Sequence, residues 1–290
     1  MSEQNRTPSA IAPALRSIKR MARKAFFSIR RTTTGSGHRP DSIILGAQRA
    51  GTTSLFNMLS SHPCVIPSVV KETHYFDLYY HKGIGWYYSH FPTHFWRRYS
   101  HDHRWCEASP YYLFEPRVPR RIHKALPDAR MIVILRNPID RAYSNYQHQV
   151  QLGNEQLSFE EAIEQESTRL NGEVERMMKD ASYQSIKHRR CTYVMRGRYS
   201  EQLERWLALF PREQFHVIAA ENFFRNMPDE MNELTEFLEI PKHSFPVSRS
   251  DNKGSYKSMS QQTRENMRLI FADEKSRLEK ITGIKFDWDI

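Results

Sequence analysis

An apolar run, Ser42-Ile43-Ile44-Leu45, leads straight into Gly46-Ala47-Gln48-Arg49-Ala50-Gly51-Thr52-Thr53 and then into a stretch through about Ser60 that puts Leu55, Met58 and Leu59 on one helical face. The first segment fits a strand buried in a sheet, and the three- and four-residue spacing of the last fits a helix packed on that sheet. A second run, Met131-Ile132-Val133-Ile134-Leu135, has no polar residue to alternate with, as expected of a central parallel strand covered on both faces. Asn137 then caps a helix that carries Pro138 at its first position and Ile139, Tyr143, Tyr146 and Val150 as its apolar stripe. Further helices are expected at about 158 to 168, 198 to 209, 228 to 238 and 260 to 281, with a strand at 215 to 219. The pattern predicts an α/β fold: one doubly wound parallel sheet flanked by helices, in a single domain, with no internal repeat.

Gly46 and Gly51 have the spacing of a P-loop, in which backbone N–H groups and a helix N-terminus surround a phosphate. The lysine that directly follows the second glycine in nucleotide triphosphatases is replaced by Thr52, and the loop's cation is Arg49 instead. That weakens a kinase or ATPase reading and leaves a ligand-free strand-to-helix turn as the bland alternative. Arg136 lies where the second apolar strand ends and a helix begins. In a doubly wound sheet this is the carboxyl edge, where ligands bind, so a second anion site is expected there with Ser144 nearby. Taken singly, Arg136 reads as a surface ion-pair residue and Ser144 as an ordinary helix hydroxyl.

With 290 residues, 39% hydrophobic and 26% charged, the chain is long enough to build its own core, and wholly disordered, collagenous or membrane-embedded classes are excluded. Its net charge of +10 is unevenly placed: residues 1 to 39 hold nine Lys and Arg against Glu3 alone, so the chain from Pro40 onward is almost neutral. The expected division is a basic, flexible N-terminal extension over 1–39 and one folded domain over 40–290. Leu15, Ile18, Ala22, Phe26 and Ile29 recur at helical spacing among arginines and lysines. The extension therefore reads either as a solvated tail or, through residues 14–31, as a basic amphipathic helix on an anionic membrane. Cys64, Cys106 and Cys191 stand in no disulfide or zinc spacing, and no run of 18 apolar residues occurs. The expectation is a cytoplasmic chain without a metal. His81, His90, His94, His101 and His103 lack the helical pairing beside a carboxylate that a zinc site needs, and the aromatic residues between Tyr75 and Trp105 read mostly as core.

Taken in order, the two phosphate elements, Lys71-Glu72-Thr73-His74-Tyr75-Phe76-Asp77, His81-Lys82-Gly83-Ile84-Gly85-Trp86-Tyr87, Glu107-Ala108-Ser109-Pro110-Tyr111-Tyr112, Glu204-Arg205-Trp206-Leu207 and Phe286-Asp287-Trp288 resemble the 3′-phosphoadenylyl sulfate (PAPS) dependent sulfotransferases, in the branch that modifies heparan-type glycans. The likeness runs from about Ile43 to Trp288. It implies that Gln48, Arg49, Ala50, Gly51, Thr52, Thr53 and Ser54 bind the phosphosulfate, that Arg136 and Ser144 bind the 3′-phosphate, and that Lys253 and Gly254 close over the nucleotide, with Lys257 as a substitute cation. It further implies Glu72 as general base with His74 in support, and Arg49 as the cation on the leaving nucleotide. Relatives usually carry Lys at the Arg49 position, Lys after the glutamate where Ala108 stands, and Arg where Ser255 follows Gly254. Ala108 and the near-neutral body argue for a sugar, glycolipid or small hydroxyl compound over a long polyanion. The implied reaction moves a sulfuryl group to a hydroxyl or amine and releases 3′,5′-adenosine bisphosphate without a metal. The rival of another class is a non-catalytic membrane or nucleic-acid adaptor working through the basic N-terminus, although no specific nucleic acid is expected as partner.

Overall fold

The computed structural model describes residues 37–91, 103–245 and 258–290. The expected amphipathic segment at 14–31, and Lys253, Gly254, Lys257, His94 and His101, lie outside them. Five parallel strands form the sheet: β1 Ser42–Gly46, β2 Val65–Pro67, β3 Arg104–Ala108, β4 Arg130–Leu135 and β5 Phe215–Ala219, in spatial order β2-β3-β1-β4-β5. Successive residues of a strand point to opposite faces. All of β1 and the last five residues of β4 are buried, so both faces are covered, as the unbroken apolar runs require.

The helices between the strands make the crossovers. α1 Thr52–Leu59 joins β1 to β2, α2 Ile84–Tyr88 lies between β2 and β3, and α3 Val118–Ala125 joins β3 to β4. Between β4 and β5 come α4 Pro138–Gln151, α5 Phe159–Glu164, α6 Glu166–Leu170, α7 Glu173–Lys179, α8 Ile186–Arg190 and α9 Tyr199–Leu207. α10 Ala220–Arg225, α11 Met227–Phe237, α12 Gln261–Ile270 and α13 Glu274–Thr282 complete the described fold. From β1 the chain moves outward to β2, returns to β3 and then crosses β1 to reach β4. The carboxyl ends of β3, β1 and β4 therefore flank the point where the winding reverses, which is where ligands bind in such sheets.

Three expectations change. The stripe on α4 holds at Ile139, Tyr143 and Tyr146, but Val150 is exposed, and the buried face of the helix also carries Arg141, Ser144, Asn145 and Gln149. The segment 158 to 168 divides at Gln165, because Glu166 turns inward and accepts the N–H groups of Tyr193, Val194 and Met195 at 2.7–2.8 Å. The helix expected over 260 to 281 breaks after Ile270, since Met267 and Phe271 pack into a small core with Ile139 and Phe159 whereas Leu278 packs into the main core. Strands β2 and β3 carried no apolar signal: β2 has three residues and ends in proline, and Arg104-Trp105-Cys106-Glu107-Ala108 mixes charge with bulk. Among the described residues no helix is long and apolar enough to cross a membrane.

Candidate active site

The loop after β1 is shaped by its glycines. Gly51 sits at φ 105°, and a Cβ there would stand 2.8 Å from Cζ of Phe224; at Gly46 a Cβ would stand 2.8 Å from that of Leu113. Gly51 ends the loop as the N-cap of α1 without any side-chain cap, and the first backbone bond of the helix runs from Leu55 N–H to Gly51 O at 3.1 Å. The N–H groups of Thr52, Thr53 and Ser54 therefore have no carbonyl a turn earlier in the helix, and the positive end of its dipole adds to them: a place for an anion. Ala50 belongs to the main core and Thr52 is buried, so each offers its backbone rather than its side chain.

Arg49 also adopts a left-handed conformation, φ 71°, and its Nε donates to Ser144 Oγ on α4 at 3.1 Å. Arg136, at the end of β4, donates from Nη1 to Arg49 O at 3.4 Å. Asn137 caps α4 as expected, its Oδ1 accepting from Ile139 N–H at 2.9 Å and Asp140 N–H at 3.4 Å. Tyr199 OH donates to Arg136 O at 2.9 Å, and Glu221 accepts from both Asn137 N–H at 2.9 Å and Trp288 Nε1 at 2.8 Å. The glycine loop and the Arg136–Ser144 element are thus one surface. An adenosine carrying phosphate at both its 3′ and 5′ positions needs its two anion sites on a connected surface of this kind.

Beneath the loop, Gln48 accepts a hydrogen bond from Nη1 of Arg196, which is almost wholly buried and donates from Nη2 to His188 O at 3.2 Å and Arg189 O at 2.9 Å. Burial lowers the Arg196 guanidinium to about 10, still charged at neutral pH. Nothing in the sequence distinguishes Arg196 from a surface arginine.

Glu72 reaches the same edge of the sheet from the segment after β2. Its N–H donates to Ala108 O at 2.8 Å, and Ser109 N–H donates to Ile44 O at 3.2 Å, which ties the ends of β3 and β1 together beside it. The carboxylate meets two cations: Lys71 Nζ is 2.8 Å from Oε1 and His74 Nε2 is 3.4 Å from Oε2. The other nitrogen of His74, Nδ1, lies 2.8 Å from Asp77 Oδ2. Burial works to raise the Glu72 carboxyl, but the bonds from His74 and Lys71 outweigh it and hold the group down at about 2. Burial likewise works to lower His74, yet Asp77 and Glu72 hold it up at about 10, so at neutral pH it is an imidazolium between two carboxylates. Glu72 and His74 both have positive φ, 63° and 52°.

The structure thus gathers Gln48 through Ser54, Arg136, Ser144, Glu72 and His74 at the carboxyl edge of the sheet. Sequence singles out no role for two partners of these residues, Lys71 on Glu72 and Arg196 on Gln48, or for Glu107 nearby. Glu107 lies wholly buried beneath Thr73. Most aromatic residues expected in the core are there, including Tyr75, Phe76, Tyr87 and Trp105. Among the described residues no group of three or more His, Cys, Asp or Glu side chains is placed to hold a metal ion.

Comparison with known proteins gives a consistent result. Residues 39–289 match the family model described as a sulfotransferase domain. The chain is 32% identical over 218 residues to a bifunctional heparan sulfate N-deacetylase/N-sulfotransferase of Drosophila melanogaster, covering 69% of this chain and 20% of that protein. It is 32% identical over 210 residues to human heparan sulfate glucosamine 3-O-sulfotransferase 5, covering 70% of this chain and 54% of that one. The chain therefore spans only a fifth to about half the length of these relatives. Among solved structures, a sulfotransferase from Alicyclobacillus acidocaldarius is similar at TM-score 0.65 and 29% identity, over 86% of this chain and 98% of that one.

Proposed function

The chain belongs to the sulfotransferase domain family, and on that premise we propose that it transfers a sulfuryl group from PAPS to a hydroxyl or amine of a carbohydrate or glycolipid, releasing 3′,5′-adenosine bisphosphate. The observation that carries this reading is the direct contact of the two anion-binding elements, Arg49 with Ser144 and Arg136 with the Arg49 carbonyl, at the edge that also presents Glu72. The donor set fits: backbone N–H groups and guanidinium forks suit phosphate and sulfate oxygens, and neither needs a metal to receive them. When bound, PAPS supplies an activated sulfuryl group on a phosphosulfate linkage.

The N–H groups at the start of α1 and the guanidinium of Arg49 hold the phosphosulfate end and stabilise negative charge on the leaving side. Arg136 and Ser144 hold the 3′-phosphate, and Lys253 and Gly254 are assigned the closing loop. Glu72 takes the proton from the acceptor. In the structure it is a weak base, because two cations neutralise it. Effective proton transfer asks for a pKa nearer the working pH, so acceptor binding must loosen the Lys71 and His74 contacts as the acceptor O–H or N–H takes their place. His74, anchored on Asp77, orients the carboxylate until the acceptor arrives.

The test is transfer of label from 35S-PAPS to neutral sugars, glycolipids and heparan-type oligosaccharides, with 3′,5′-adenosine bisphosphate release followed in parallel. Acceptor-dependent release is expected, and label that reaches no sugar class would overturn the reading. We also assign the chain to the cytoplasm, with residues 14–31 either a solvated tail or a peripheral contact with an anionic membrane. Flotation with anionic vesicles that persists after deletion of residues 1–39 would contradict that assignment.

A further inference from the structure

Glu107 is fully buried at the end of β3, yet no Lys or Arg pairs with it among the described residues. Burying a carboxylate costs several kcal/mol unless hydrogen bonds replace its water. Here three hydroxyls do so. Thr73 Oγ1 donates to Oε2 at 2.6 Å, Tyr87 OH to Oε1 at 2.8 Å and Ser109 Oγ to Oε2 at 3.4 Å. Two of these hydroxyls, with Tyr112 OH at 3.1 Å from Thr73 Oγ1, in turn receive backbone N–H groups of the segment that bears the base. His74 N–H goes to Ser109 Oγ at 3.3 Å, Tyr75 N–H to Thr73 Oγ1 at 3.4 Å and Phe76 N–H to Tyr112 OH at 3.2 Å.

The segment needs such support. Positive φ at two non-glycine residues, Glu72 and His74, costs on the order of 1–3 kcal/mol each and persists only where the surroundings over-determine it. Thr73, between them, is the side chain that anchors the turn from below while its neighbours face the cleft.

Resting on the sulfotransferase reading, we propose that Glu107 is a positioning residue: through Thr73 and Ser109 it locks the left-handed turn that presents Glu72 and His74 to the acceptor, without itself touching substrate. Burial raises the Glu107 carboxyl to about 7, opposed by the Thr73 and Tyr87 bonds; Asp77 raises it further and His74 lowers it, while Tyr112 packs alongside.

The experiment compares Glu107→Gln, Thr73→Val and Thr73→Ser in the full chain. An amide turns one acceptor oxygen into a donor facing hydroxyl donors, valine removes the Thr73 hydroxyl, and serine keeps it. Glu107→Gln and Thr73→Val should each lower kcat about 10-fold to 100-fold while calorimetric affinity for 3′,5′-adenosine bisphosphate stays within about twofold. Thr73→Ser should restore kcat to within about threefold of the parent. Histidine-selective NMR, with His74 assigned by its loss in His74→Gln, gives a readout independent of turnover. The His74 midpoint should fall by about one pH unit or more in Glu107→Gln and in Thr73→Val. Unchanged kcat and an unchanged His74 midpoint in both variants would overturn the inference, as would an equal loss of nucleotide affinity and kcat. If Glu107→Gln fails to fold, Thr73→Val decides. If the unsubstituted chain transfers no sulfuryl group, the functional reading fails, and the His74 midpoints still judge the lock.

Discussion

The two halves of the cleft are built by different means. On the proposed donor side, the loop after β1 relies on backbone: a left-handed Gly51, an uncapped helix start and N–H groups whose direction the fold itself sets. On the proposed acceptor side, residues 72–77 rely on side chains: a carboxylate, an imidazolium and a second carboxylate in contact in turn, held over buried hydroxyls. A donor common to a whole family can be met by a standard backbone cradle, whereas the acceptor half must hold particular protons at particular atoms. Side-chain chemistry is therefore concentrated where the reaction differs from simple nucleotide binding.

Substitutions on either side should separate these roles. Glu72→Gln is expected to have the largest effect, lowering kcat by about 10² to 10⁴ with nucleotide affinity nearly intact. Single-turnover kinetics beside calorimetry checks this, and retained turnover would remove Glu72 from its role. Arg136→Ala should weaken binding of 3′,5′-adenosine bisphosphate by roughly 10-fold to 150-fold, as loss of a hydrogen bond to charge predicts. Binding of AMP should scarcely change. Equal losses for both nucleotides would show that Arg136 does not read the 3′ anion.

Gly51→Ala tests the backbone half. At φ 105°, with a Cβ 2.8 Å from Phe224, it should cost about 1–3 kcal/mol in denaturant unfolding and weaken nucleotide binding. A neutral result would mean that the loop conformation is less constrained than its contacts imply. The smallest effect concerns pH. His74 is raised to about 10 from an ordinary 6.5. The stability it adds is fully present below about 6.5 and is lost as pH rises through about 10. The melting temperature of the unsubstituted chain should therefore fall toward that of His74→Gln over this alkaline window. Glu72, held down at about 2 from 4.5, adds stability above 4.5 that is lost as pH falls through about 2.

The same contrast decides what could be read from sequence. The donor half was legible because backbone requirements leave a mark: glycines at fixed spacing, an apolar strand before them and a helix after. Glu72 and His74 became candidates only through the likeness of a whole motif, since an exposed Glu and a His two residues apart look like any polar loop. Lys71, Arg196 and Glu107 were silent for a further reason. Arg196 and Glu107 depend on contacts across 148 and 34 residues, made by the residues before α9 and by strand β3, whose mixed composition hides it, and Lys71 beside Glu72 looks like any neighbouring ion pair. The break between α12 and α13 is hidden in the same way, because helical spacing does not reveal which of two cores each turn will serve.

The pairing of Glu72 with Lys71 and His74 has an outcome for economy in the idle enzyme. A carboxylate so thoroughly neutralised has little power to deprotonate water, so a donor seated before any acceptor arrives should decay only slowly by hydrolysis. Removing the ammonium with Lys71→Ala would make the resting base stronger, and leakage of sulfate in the absence of sugar should rise. The contact that makes Glu72 look poorly suited to catalysis would then serve to keep the charged donor from being wasted on solvent.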